Sequence, residues 1–168
     1  MRKIAIYYGS TTGTCEALAS MIAKALGVED ENVHSVTDMT KEAVESQDVL
    51  ILGSSTWGCG DLQDDWYDGV EILKQADLQG KKVALFACGD GESYGGTFCE
   101  AMTHIKEALS ASGCSFIGRV PTAGYTFTAS SAVDGDEFIG LALDDVNESD
   151  KSEARITAWA QQLHEEMA

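Results

Sequence analysis

The chain has 168 residues, about one domain's worth and enough to enclose a sizeable core, which argues against a two-domain enzyme. Its 28 acidic against 11 basic side chains give a formal charge of −17, beside a hydrophobic share of 44% that is ordinary for a folded globule. A surface this negative is repelled by nucleic-acid phosphates and anionic lipids, so neither nucleic acid nor membrane is expected as a partner, whereas a protein with a basic patch is attracted.

In chain order, the first apolar run is Lys3–Tyr8, a strand candidate and too short for a signal peptide's apolar region. Leu18, Met21, Ile22, Ala25 and Leu26 follow at helical spacing, with Gly27 as the stop. Asn32–Val36 reads as a strand, Lys41–Ser46 as a weak helix, Val49–Ser54 as a strand and Asp64–Gln75 as a second weak helix. Lys82–Cys88 is the next strand. Phe98, Ala101, Met102, Ile105, Ala108 and Leu109 then repeat at helical spacing before Gly113. Strands at Ser115–Val120 and Phe138–Leu143 flank an irregular Pro121–Glu137 segment that holds the only proline and reads as an inserted loop. Ile156, Trp159, Ala160, Leu163 and Met167 form the last helix, opened by Asp150 with Glu153 as a capping box. Strands alternating with helices predict a doubly wound α/β domain over 1–168, a parallel sheet with helices on both faces. The five cysteines include no Cys-x-x-Cys pair, and no histidine lies within four residues of one, so neither a disulfide framework nor a metal site is expected and a reducing cytoplasm fits.

In such folds ligands bind outside the carboxyl ends of the strands, where strand order reverses. Three loops leave strand ends with suggestive composition. Ser10-Thr11-Thr12-Gly13-Thr14-Cys15 offers hydroxyls and backbone N–H groups at a helix start, with no Lys or Arg between Lys3 and Lys24. Neutral donors of this kind suit a terminal monophosphate, and the segment matches neither a Walker A loop nor Gly-x-Gly-x-x-Gly. On its own it reads equally as a hydroxyl-rich helix cap. Ser54-Ser55-Thr56-Trp57-Gly58-Cys59-Gly60-Asp61 sets a tryptophan between strand end and glycines, placed to stack on a planar ligand or to plug its loop against the domain. Gly89-Asp90-Gly91-Glu92-Ser93-Tyr94-Gly95-Gly96 repeats the arrangement with a tyrosine.

Taken jointly, four segments resemble a flavodoxin of the long-chain kind over essentially the whole chain. They are Tyr8-Gly9-Ser10-Thr11-Thr12-Gly13-Thr14-Cys15-Glu16; Thr56-Trp57-Gly58-Cys59-Gly60-Asp61-Leu62-Gln63 with Asp65-Trp66; Gly89-Asp90 with Tyr94; and Phe138-Ile139-Gly140-Leu141-Ala142-Leu143-Asp144. The resemblance implies sheet order 2-1-3-4-5 with the fifth strand interrupted by the inserted loop. It further implies one non-covalent FMN in a monomeric, low-potential one-electron carrier that shuttles between semiquinone and hydroquinone, with no catalytic residues. Ser10, Thr11, Thr12, Gly13, Thr14 and Cys15 would hold the phosphate. Trp57, within the Ser54, Ser55, Thr56, Gly58, Cys59, Gly60 loop, and Tyr94 of the third loop would sandwich the ring. Cys88, Gly89 and Asp90 with Thr97, Phe98 and Cys99 would meet the pyrimidine edge, largely through backbone groups. Partners would be basic-surfaced redox proteins, a reductase as donor and a reductive enzyme as acceptor. Cys15 stands where the family's loop usually ends in threonine, and Cys59, Cys88 and Cys99 read as small buried residues with no redox cycle assigned.

Two other readings share the fold class. Gly91-Glu92-Ser93-Tyr94-Gly95 matches the nucleophile elbow of hydrolases, yet it begins two residues after the strand ends, and His164 lies in a helical pattern. A flavodoxin-like NAD(P)H:quinone reductase needs one flavin face open, which Trp57 and Tyr94 would close. A receiver domain needs acids after strands one and three, where Tyr8-Gly9 and Ser54-Ser55 stand instead.

Overall fold

Side-chain alternation along the central strands feeds two cores, one on each face of the sheet. The computed structural model describes residues 3–9, 13–57, 61–62, 64–89, 96, 98–125, 127, 129–144 and 147–167, without the side chains of 56, 57, 61 and 62. In β1 (Ile4–Gly9), Ala5 and Tyr7 enter one core and Ile6 the other. β3 (Val49–Trp57) divides Leu50 and Leu52 from Val49 and Ile51, and β5 (Lys82–Cys88) divides Val83, Leu85 and Ala87 from Ala84, Phe86 and Cys88. Helices α1 (Thr14–Leu26) and α5 (Ser149–Met167) cover the Ile51 face. The short α2 (Lys41–Glu45), α3 (Trp66–Gln75) and α4 (Ala101–Ala108) cover the Leu50 face. A sheet buried on both faces explains why these strands read as continuous apolar runs.

With β2 (Val33–Ser35) and β10 (Leu141–Leu143) at its ends, the sheet runs β2-β1-β3-β5-β10, parallel throughout. The chain leaves β1 for β2 on one side and returns to β3 on the other, so strand order reverses between β1 and β3. The fifth position is filled in two pieces. β6 (Ser115–Ile117) pairs with Lys82–Ala84 and β10 with Phe86–Cys88, which is the interrupted fifth strand. A short β4 (Asp61–Leu62) runs antiparallel to the end of β3.

The segment between those pieces is more regular than its composition predicts. β7 (Val120–Pro121), β8 (Val133–Asp134) and β9 (Glu137–Phe138) form a small antiparallel sheet of order β7-β9-β8, with Pro121 on an edge strand where its missing N–H is tolerated. Arg119 fastens it, its Nη1 donating to Asp134 (3.0 Å) and its Nε to Glu137 (3.1 Å). The expected strands Ser115–Val120 and Phe138–Leu143 each break in two; in the first, Gly118 turns the chain at φ 83 and offers its carbonyl to Trp159 Nε1 at 2.8 Å.

Three helix starts also differ from expectation. α3 begins at Trp66 and α4 at Ala101, with Phe98 in the turn before it. α5 begins at Ser149, so Asp150 lies inside its first turn and does not open it. Glu148, just before the helix, instead accepts from Lys151 (2.9 Å) and Arg155 (3.1 Å). Among the described residues no helix is long and apolar enough to cross a membrane.

Candidate functional site

Strand register lines up the three loops singled out in the sequence. Gly9 ends β1 opposite Ser54, Ser55 pairs with Cys88, and Cys88 pairs with Leu143, so neighbouring strands end together at one edge. That edge includes the β1/β3 switch point, where this class of sheet opens a crevice.

At the first loop, Gly13 stands at the N-cap of α1 with φ 91, a left-handed backbone that glycine reaches without a Cβ penalty. Its carbonyl accepts the Ala17 N–H at 3.0 Å, which starts the helix. Thr14 opens the helix, and Cys15 is fully buried beneath it. Beside this turn the Tyr8 hydroxyl donates to Glu16 Oε1 at 2.9 Å. Burial first, and the Glu16 hydrogen bond second, push the Tyr8 phenol up to about 12, so it stays a neutral donor. Ser10, Thr11 and Thr12 lie outside the described residues.

At the second loop, Ser54 is buried and its hydroxyl donates to the Ser55 carbonyl at 2.8 Å. Below it the buried Trp66 indole donates to the Gly53 carbonyl at 2.7 Å. The backbone of Thr56 and Trp57 continues β3; their side chains, with Gly58, Cys59 and Gly60, lie outside the described residues.

The third loop begins at Cys88 and Gly89, where the Gly89 N–H donates to Leu143 O at 2.9 Å. A Cβ at Gly89 would lie 3.1 Å from Cys99 N, Cys99 Sγ and Phe98 Cδ1, so strand end and turn press together without room for a side chain. Cys99 adopts φ 54, the one non-glycine residue with positive φ among those described. Phe98 lies in the same turn. Its N–H donates to Ala129 O (3.3 Å), its carbonyl accepts from Ser130 Oγ, and its ring packs against Phe127 at 5.6 Å. Asp90, Tyr94 and Thr97, like Ser93 of the hydrolase pattern, lie outside the described residues.

Two further features stand behind the same edge, Asp144 at the end of the last resembling segment and Arg155, which motif reading passed over. The buried Asp144 follows β10 and accepts from the Asn147 N–H (2.9 Å) and amide. Arg155 lays its guanidinium 3.8 Å over the Tyr125 ring and donates to Gly124 O and Glu148, while its buried Nη1 has no hydrogen-bond partner among the described residues. The helical spacing around Ile156 could have flagged Arg155 as the inward cation; nothing local signals its partners. Among the described residues no group of His, Cys, Asp and Glu could hold a metal ion.

Comparison with known proteins decides what this architecture is. The family model for flavodoxin matches residues 6–159. The chain is 41% identical to a flavodoxin of Klebsiella pneumoniae over 168 residues, covering 99% of this chain and 96% of that one. It is equally 41% identical to flavodoxin 1 of Escherichia coli, covering 96% of this chain and 93% of that one. This chain belongs to the flavodoxin family. Among solved structures, a Fusobacterium nucleatum flavodoxin bound to flavin mononucleotide superimposes with a TM-score of 0.91 at 28% identity, covering 99% of both chains. Oxidised flavodoxin 2 of Bacillus cereus gives 0.70 at 29% identity, covering 98% of this chain and 99% of that one. Family membership accounts for the β2-β1-β3-β5-β10 order and makes the protein an electron-transfer flavoprotein rather than an enzyme.

Proposed function

We propose that residues 1–168 form one FMN-binding domain that carries single electrons at low potential between redox proteins of a reducing cytoplasm. The observation that carries the reading is the turn from β1 into α1. It starts a helix at a left-handed glycine on the switch-point edge, in a stretch rich in hydroxyls and without a cation between Lys3 and Lys24. Such a turn suits a phosphate that needs directed N–H donors and helix-end potential more than a balancing charge. The donor chemistry therefore fits FMN, and the relative from Fusobacterium nucleatum binds that molecule.

In this reading Ser10 to Cys15 hold the phosphate, Trp57 and Tyr94 stack on the ring, and Cys88 to Asp90 with Thr97, Phe98 and Cys99 border the pyrimidine edge. FMN supplies one-electron exchange; the chain excludes water, fixes the ring and sets the surrounding charge. The four described cysteines are all free, which supports a reducing compartment. Partners present basic surfaces toward the acids of α3 and of the Tyr94 loop.

Titration calorimetry with FMN and riboflavin tests the assignment. FMN should bind far more tightly, and Thr12→Val should weaken it by about 1–3 kcal/mol if that hydroxyl meets the phosphate. Equal affinity for the two flavins would refute the phosphate site. No observation favours a hydrolase, because His164 lies exposed near the end of α5, close to Glu166, whose carbonyl accepts from Lys82 at the start of β5. The Ser93 loop follows the other end of that strand.

A further inference from the structure

Among the described residues one buried side-chain donor has no hydrogen-bond partner, Nη1 of Arg155. The bonds this guanidinium does make come from Nη2, to the Gly124 carbonyl (3.0 Å) and to Glu148 Oε1 (3.1 Å), and its face lies on Tyr125. A buried donor without an acceptor is costly, and it marks a place for an oxygen from outside the chain. The same arginine lines a groove of about 260 Å³ between the insertion and α5, together with Pro121, Tyr125, Leu141, Ala158 and Trp159. None of the loop residues assigned to FMN lines it. Leu141 and Trp159 are buried while Pro121 and Ala158 are exposed, so the groove is apolar inside and open to solvent. Arg155 is the one charged residue among those described that line it. Glu148 serves two cations, Lys151 (2.9 Å) and Arg155 (3.1 Å), so this ion-paired triad keeps a net positive charge.

We propose that the groove binds a small aryl carboxylate, with its carboxylate on the Arg155 guanidinium and its ring against Pro121, Leu141 and Trp159. The site stands whether or not the protein carries FMN. Pockets for drug-sized ligands run to roughly 300–1,000 Å³, and the smaller volume here suits a single ring with one substituent. To present Nη1, the guanidinium turns within its own plane, which keeps the stack on Tyr125 and leaves the carbonyl of the exposed Gly124 to water. A planar carboxylate then meets the guanidinium through charge-assisted N–H···O bonds that a neutral amide does not match. The aromatic and aliphatic walls favour a ring over a bare acetate. The charge of −17 on the whole chain opposes any anion, but at 0.15 M salt charges beyond ~8 Å are largely screened and the local triad decides.

The test is an amide NMR titration of the full-length protein with benzoate at fixed ionic strength, run FMN-loaded and FMN-free. Saturable shifts should appear at the Gly124 amide and the Trp159 indole N–H in both forms. Benzamide and acetate should each bind about tenfold more weakly or worse, as loss of a charge-assisted hydrogen bond or of the ring contact implies. Arg155→Met should weaken benzoate by about tenfold or more. Ala158→Leu fills the groove from an exposed helical position and leaves the ion pairs in place, so it should abolish binding while the rest of the spectrum stays that of the parent. Shifts that never saturate, benzamide binding as well as benzoate, or benzoate affinity unchanged in Ala158→Leu would overturn the proposal. Benzoate that FMN displaces would place the ligand in the flavin site and overturn it too.

Discussion

A single methyl group at Gly53 would be felt across the sheet. A Cβ there would fall on the Phe86 ring of the neighbouring strand, and the Gly53 carbonyl is the acceptor for the buried Trp66 indole. Gly53→Ala should cost about 1–3 kcal/mol by overpacking, read as a lower urea midpoint with an unchanged slope. Adding Phe86→Leu should recover part of that loss; no recovery would mean that the ring is not what the methyl meets. Trp66→Phe should cost about 1–3 kcal/mol, because it leaves the Gly53 carbonyl buried without its donor. At this scale the sequence exposes composition but not partnership. The hydroxyl-rich turn and the glycines beside Trp57 stand out in any reading of the chain. That a Cβ at Gly53 would meet Phe86, or that the Tyr125 hydroxyl donates to Ala142 O, depends on which strands become neighbours, and no local pattern encodes that.

Helix α5 is anchored to the insertion by a compact ionic joint. Arg155 and Glu148 keep only 13% and 11% of their side-chain surface, and Arg155 also stacks on Tyr125, whose hydroxyl donates to Ala142 O at 2.8 Å. Arg155→Met keeps the stem and removes the donors, so it should cost about 1.5–3 kcal/mol and speed proteolytic cleavage within 122–130. The Lys151 ammonium foremost, and the Arg155 guanidinium with it, holds the Glu148 carboxyl below its usual range against the opposing pull of burial. A folded-state value below the unfolded one, about 4.3 for glutamate, stabilises fully above that pH and is lost as pH falls through the folded value. Denaturation curves across pH should therefore show Glu148→Gln less stable at neutrality, with the gap to the parent closing in acid. A gap independent of pH would contradict the ionic account. Main strands and long helices were legible in advance, since a buried parallel sheet leaves apolar runs and a packed helix leaves a 3.6-residue rhythm. The small antiparallel sheet was not, because strands such as Val133–Asp134 are too short to carry a period and owe their form to Arg119 and to turns at Gly118 and Gly135.

Across the whole molecule the charge of −17 is not spread without regard to the site. Asp64, Asp68 and Glu71 are exposed along α3 and its approach, just after β3 leaves the site edge, with Tyr67 53% exposed among them. Electron transfer from the reduced protein to a basic haem protein should slow steeply between about 0.01 and 0.3 M ionic strength, as the screening length contracts. A rate flat with salt in stopped-flow would show that this face does not steer partners. A different property of the whole follows from the divided fifth strand. β6 and β10 hold opposite halves of β5 and are joined only through the insertion, so either half can detach while the other stays paired. Opening at the β10 half frees the Gly89 amide from Leu143 and leaves the far end of the sheet shut. Native-state hydrogen exchange should accordingly find Gly89 exchanging through a smaller, cheaper fluctuation than Leu50 and Ile51 of β3, which lies between β1 and β5 and whose release requires the core to come apart. The molecule thus has a way to breathe at the edge proposed to receive the cofactor, without unfolding to do so.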